Sequence, residues 1–136
     1  MKLPALTDRW LVGFVPAPNR GVARLASGVF GHCMAFGWRP QGHWLLVETN
    51  VWGLDVQLVD TDFADKLMGF CLRNGKLLNV PPRRRTARFT PPPLLTCSTT
   101  VAALVGVPGW YFTPRQLYRA LQKAGADVIT KPEDLP

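Results

Sequence analysis

Two histidines, two glutamates and three cysteines are scattered through the 136 residues of this chain, so few groups are present for acid–base, nucleophilic or metal chemistry. Three cysteines cannot all pair. Their positions at 33, 71 and 97 follow neither the spacing of a zinc ribbon nor that of a disulfide framework. Reduced thiols and a cytoplasmic location are the expectation. No apolar run approaches the ~20 residues that span a bilayer, and Pro4, Thr7, Asp8 and Arg9 break up the N-terminal segment before a signal-like core can form. No membrane span and no cleaved signal are therefore expected. Acid is also scarce. Nine Asp and Glu stand against 16 Lys and Arg, a formal charge of +7 that favours anionic partners.

What is present suits one folded domain over residues 1–136, with a core from about 10 to 125 and a frayed tail from 130 to 136. A 47% hydrophobic content and this length allow a core without staples. Trp10–Val15 is a short apolar run closed by prolines, a first strand. Residues 20–27 suit one or two helical turns. The segments from His32 to Trp38 and from His43 to Glu48 flank Arg39-Pro40-Gln41-Gly42, a hairpin pattern, and Leu54–Val59 alternates with period two, a strand with one wet face. Thr61 or Asp62 can cap a helix that stops near Asn74-Gly75, and Lys76–Val80 suits another strand. From Thr113, the run Thr-Pro-Arg-Gln combines an N-cap, a first-turn proline and a capping-box glutamine, with Gly125 as the stop. The expected fold class is α+β, an antiparallel meander packed against a cysteine-bearing helix.

That helix begins at Cys97, with Thr96 as its cap, and Gly106 ends it. Val101, Leu104 and Val105 lie in phase with Cys97 and aim it at the protein body. A thiol at a helix N-terminus meets unpaired N–H groups and the positive end of the dipole, which favour the reactive thiolate. With His32 far upstream on a strand, thiol catalysis is one reading of Cys97; a small buried apolar residue is the other. Glu48 ends an apolar strand and wants a partner, either a histidine or an arginine. If Trp38 to Gly42 form the hairpin loop, His32 falls directly opposite Glu48, whereas His43 lies ~16 Å along the strand from His32. Cys33 alternates to the other face and, like Cys71, is expected as packing. His32 and Cys33 point oppositely, so neither a metal site nor a cofactor is expected. The five tryptophans are core or cleft-rim residues.

These segments also carry a resemblance. Phe30-Gly31-His32-Cys33-Met34-Ala35-Phe36, Leu46-Val47-Glu48-Thr49, Thr96-Cys97-Ser98-Thr99-Thr100-Val101 and the helix opened by Phe112-Thr113-Pro114 occur in that order. This order resembles the circularly permuted papain-like group, the permuted NlpC-type peptidases and the lecithin retinol acyltransferase relatives, in which a histidine strand precedes the cysteine helix. The resemblance implies Cys97 as nucleophile, His32 as its general base and Glu48 as the group that orients the imidazole. His43 is a rival third member, because the acyltransferase relatives carry a His–His–Cys pattern. The resemblance further implies hydrolysis or transfer at an acyl carbon, with an amide of peptidoglycan or a peptide as substrate and a lipid acyl or thioester bond second. Small phage and bacterial members of the group imply a phage or prophage protein, located in the host cytoplasm or the virion. The alternative is a non-catalytic basic protein, bound to nucleic acid or a virion through Arg83, Arg84, Arg85 and Arg88 of the proline-rich segment. In that case salt-dependent DNA retention would survive loss of Cys97 and vanish with these arginines.

Overall fold

The computed structural model describes residues 9–16, 31–39, 42–50, 53–81, 97–107, 109, 111 and 113–135. Residues 20–27, the arginine cluster at 83–88, Thr96, Trp52 and Trp110 lie outside these, as does any reading placed on them. Six strands, β1 (Trp10–Val15), β2 (His32–Arg39), β3 (His43–Asn50), β4 (Gly53–Asp60), β5 (Lys76–Val80) and β6 (Asp127–Ile129), form one antiparallel sheet. Its order is β4-β3-β2-β1-β5-β6. The α+β class and the meander of β1 to β4 agree with the sequence reading.

Helices cover both faces of the sheet. The first, α1 (Thr61–Asn74), packs on the face that carries Leu11, Met34, Phe36, Trp44 and Leu46. The others, α2 (Cys97–Val105) and α3 (Pro114–Lys123), cover the face of Val12, Phe14, Cys33, Ala35 and Val47. Alternation explains the split, because successive strand side chains leave on opposite faces. β1 is buried on both faces at all six positions, as its unbroken apolar run requires. Phe14 meets Tyr118 of α3 edge-on, with ring centroids 5.2 Å apart. Trp10 and Trp44 are core residues.

Local signals set most boundaries. Thr113 and Gln116 form the expected capping box at α3, and Gly125 follows the helix at φ +98°. Gly106, at φ +80°, follows α2 in the same way. At α1 the cap lies ahead of both expected candidates, Thr61 and Asp62: the Asp60 carboxylate accepts from the Phe63 N–H at 2.8 Å. Thr61 instead donates its hydroxyl to the Gly42 carbonyl at 2.9 Å, tying α1 to the β2–β3 turn. The structure adds β6, paired to β5, where the sequence reading placed no element, and a 3-10 turn at Pro132–Asp134 within the segment 130–136. Leu135 then packs on the α1-side core. In β4 the apolar residues face water, with Leu54, Val56 and Leu58 52%, 53% and 56% exposed. Their partners across the ladder are Thr49, Val47 and Leu45, so this stripe lies on the α2 side of the outermost strand.

Gly75 makes the α1–β5 connection possible. A Cβ at this position would overlap the Phe14 carbonyl oxygen, and backbone cannot rotate away as a flexible side chain can. Gly75→Ala is expected to cost ~3 kcal/mol, at the upper end for overpacking. In a thermal melt this lowers Tm by on the order of 10 °C. Gly69→Ala is the contrast within the same helix. Its new Cβ meets the far end of the Arg73 side chain at 3.3 Å, and alanine favours helix, so Tm should hold or rise. Equal losses in both variants would refute the argument.

Candidate functional site

The site forms where the β2–β3 ladder ends. Paired residues run from Arg39↔His43 at the turn to Met34↔Glu48. The first residues of β2 are paired only with β1, as Val15↔His32 and Phe14↔Cys33. Beyond Glu48, Thr49 donates its hydroxyl to that of Thr100 on α2 at 2.9 Å. This bond ties the start of α2 to the end of β3 and holds Cys97 over the open end of the ladder. Thr100 is buried, so the tether is a polar contact the surroundings would penalise losing.

His32 and Glu48 are in contact, with Nε2 of the imidazole 3.1 Å from Oε2 of the carboxylate. The contact is made differently from the sequence expectation. Glu48 pairs with Met34, not with His32, because the turn between Arg39 and His43 holds three residues and ends in Gly42 at φ +81°. Three-residue hairpin loops use such a left-handed position. The register therefore differs by two residues from the one expected. An even shift keeps both side chains on one face and makes them diagonal neighbours, which long side chains can bridge. Both are partly buried, at 21% and 29% side-chain exposure.

Cys97 joins this pair. It packs against the cluster that holds Cys33, and the Cys33 thiol, the His32 imidazole and the Cys33 backbone N–H are the donors that favour its thiolate. These donors outweigh burial and pull Cys97 down to about 4. His32 is pushed up to about 9, chiefly by its bond to Cys97 and then by Glu48, against the opposing effect of burial. The bond to His32 lowers Glu48 in turn, again against burial. With Nε2 turned to Glu48, Nδ1 is the ring nitrogen left for the thiolate. Between about pH 4 and 9 the resting site is thus a thiolate–imidazolium pair flanked by a carboxylate.

Cys33 is the residue that sequence reasoning undervalued. It is fully buried under α2, where burial and the neighbouring Cys97 push its thiol well up. Alternation does send it to the face opposite His32, as expected, but α2 covers that face and brings Cys97 onto it. Cys71 is a core residue, pushed up to about 12 by burial. His43 is exposed at the turn, opposite Arg39 and Asp60. Seven strand positions, roughly 23 Å, separate Arg39 from His32. Among the described residues no cluster of three or more His, Cys, Asp or Glu has the geometry to hold a metal ion, and no helix is long and apolar enough to cross a membrane.

Compared with known proteins, the chain matches no family model, no curated protein and no solved structure.

Proposed function

We propose that the protein is a cysteine-dependent acyl hydrolase or acyltransferase of permuted papain-like type, acting on an amide of peptidoglycan or a peptide. The observation that carries this reading is the Cys97–His32–Glu48 chain of contacts, which combines a thiolate with a protonated imidazole. A partly buried thiolate beside a cation has little structural use and suits nucleophilic attack. In the proposed cycle the Cys97 sulfur attacks the acyl carbon to give a tetrahedral adduct. The backbone N–H of Cys97, at the start of α2, would supply one donor to the developing oxyanion. His32 protonates the departing amine, leaving a thioester on Cys97. It then takes a proton from water, which attacks the thioester and regenerates the thiolate. Glu48 holds the ring in position and stabilises its cation.

A second reading keeps the chemistry and changes the substrate. The exposed Leu54, Val56 and Leu58 stripe lies on the same side of the sheet as α2, which suits a lipid acyl chain. One experiment separates the readings. Purified protein is incubated with peptidoglycan sacculi, with peptide amides and with lipid or thioester acyl donors, and released amines or free acids are quantified. Release from sacculi or peptides, lost by at least ~10³-fold in Cys97→Ala, is expected. Turnover confined to lipid or thioester donors transfers the proposal to the second substrate. No turnover on any of them, with no acyl group trapped on Cys97, refutes both.

A further inference from the structure

Cys33 has no part in the acyl cycle, yet it is the closest described thiol to the nucleophile. It is fully buried, it lies under the start of α2, and its thiol points at the Cys97 sulfur as a hydrogen-bond donor. A catalytic thiolate needs no second sulfur at this point, since a serine hydroxyl or a backbone N–H could donate equally well. Two thiols packed at one core cluster beneath the start of α2, one partly exposed and one sealed in the core, are arranged as an attacking and a resolving thiol.

We infer that Cys33 and Cys97 form a reversible disulfide when the protein meets a hydroperoxide, with Cys97 as the oxidised thiolate and Cys33 as the thiol that resolves it. The inference rests on the thiolate of the proposed site but not on its acyl chemistry. In the first step the Cys97 sulfur attacks one peroxide oxygen and the O–O bond breaks. Sulfur gives up two electrons, the released hydroxide takes a proton from the His32 imidazolium, and Cys97 sulfenic acid and water result. In the second step the Cys33 sulfur attacks the Cys97 sulfur and the S–O bond breaks. The departing hydroxide combines with the Cys33 proton as water. A thiol pair reduces the disulfide and restores both cysteines.

Placement favours this order. Peroxide can reach Cys97, which is partly exposed, but not Cys33. Cys33 is kept protonated chiefly by burial and then by the thiolate that faces it, and the second of these influences vanishes once Cys97 is a neutral sulfenic acid. Cys71 cannot compete, because it is buried on the α1 face of the sheet against Gly13. Without a resolving thiol, a sulfenic acid goes on to the irreversible sulfinic form. The pair would therefore protect the nucleophile while silencing it.

The test treats reduced wild-type protein and Cys33→Ala and Cys33→Ser variants with hydrogen peroxide, followed by intact mass and peptide mapping. Wild-type protein should lose two hydrogens, yield a Cys33–Cys97 cross-linked peptide with Cys71 still free, and recover both thiols with dithiothreitol. The variants should instead trap dimedone at Cys97 and accumulate its sulfinic acid at least ~10-fold faster. The proposal is overturned if wild-type Cys97 gains oxygen as fast as the variants, or if the cross-link involves Cys71. The wild-type peptide map decides the matter even if neither variant folds. Disulfide formation without any acyl turnover would leave this inference standing and remove only the acyl reading. Turnover without a disulfide would do the reverse.

Discussion

In His32→Ala protein, Cys97 is expected to lose its reactivity at low pH. The wild-type thiol is brought down to about 4 by the Cys33 thiol and by His32 together, against burial, which acts in the other direction. At pH 6 it should be almost wholly thiolate, where an ordinary cysteine titrating near 8.5 is less than ~1% ionised. Removing the imidazolium takes away an opposite charge, worth ~1–3 pH units. It also leaves Glu48 without its partner, near enough for its negative charge to disfavour a second anion. The midpoint of Cys97 alkylation, followed by intact mass against pH, should therefore rise by at least ~2 units. Thiolate absorbance near 240 nm should move with it. Cys33 and Cys71 do not interfere, because both are fully buried and pushed up. Cys33→Ala makes the comparison sharper. Its thiol also lowers Cys97, so its loss should raise the midpoint as well. A wild-type midpoint near 8.5, or one that ignores His32, would show that no ion pair exists and would turn attention to the arginine-rich segment.

What the sequence made legible depended on whether a signal was local. The capping box at Thr113–Gln116 and the stops at Gly106 and Gly125 are decided by a few adjacent residues, and the structure agrees with them. So are the unbroken apolar run of β1 and the hairpin of β2 and β3. The register of that hairpin is less local. One loop length places Glu48 opposite His32 and another places it opposite Met34, and the sequence Arg39-Pro40-Gln41-Gly42 accommodates both. The two side chains meet in either case, because the registers differ by an even number of residues. β6 was missed because three residues of strand cannot show a period, and only the edge of β5 makes the segment extend.

Two features of the site were invisible for a different reason. Sequence pattern tells which strand residues share a face, but not which helix covers that face. Cys33 and His32 do part to opposite faces, and what links them is Cys97, at the start of a helix laid over the Cys33 face where the ladder with β3 ends. The tether from Thr49 to Thr100 spans 51 positions and has no mark in either segment beyond two hydroxyls. The exposed apolar stripe of β4 reverses the usual sense of strand alternation. Alternation fixes two faces without naming the wet one, and at an outer strand the helix that would cover Val56 can fall short.

The same ion pair sets the pH range in which an acyl-transfer enzyme of this construction can work. Attack needs the thiolate, which is lost as pH falls through about 4, and leaving-group protonation needs the imidazolium, which is lost as pH rises through about 9. A bell-shaped kcat/KM profile with those two limbs is expected. Glu48→Gln should narrow it from one side. The carboxylate raises His32, so its replacement by a neutral amide lowers the alkaline limb, by ~1–2 units for the loss of one close charge. The acid limb belongs to Cys97, which still faces a protonated His32 at low pH, and should stay near 4. Catalysis at the optimum should drop by ~10–10²-fold, because the ring also loses the partner that fixes its orientation. His43→Ala is the matched comparison. That residue stands exposed at the far end of the hairpin, opposite Arg39, and should move neither limb. A profile narrowed by Glu48→Gln and untouched by His43→Ala assigns the third position to Glu48. Alkaline limbs that shift with His43 instead would mean that β2 and β3 pair otherwise in solution, and the site would have to be rebuilt around a pair of histidines.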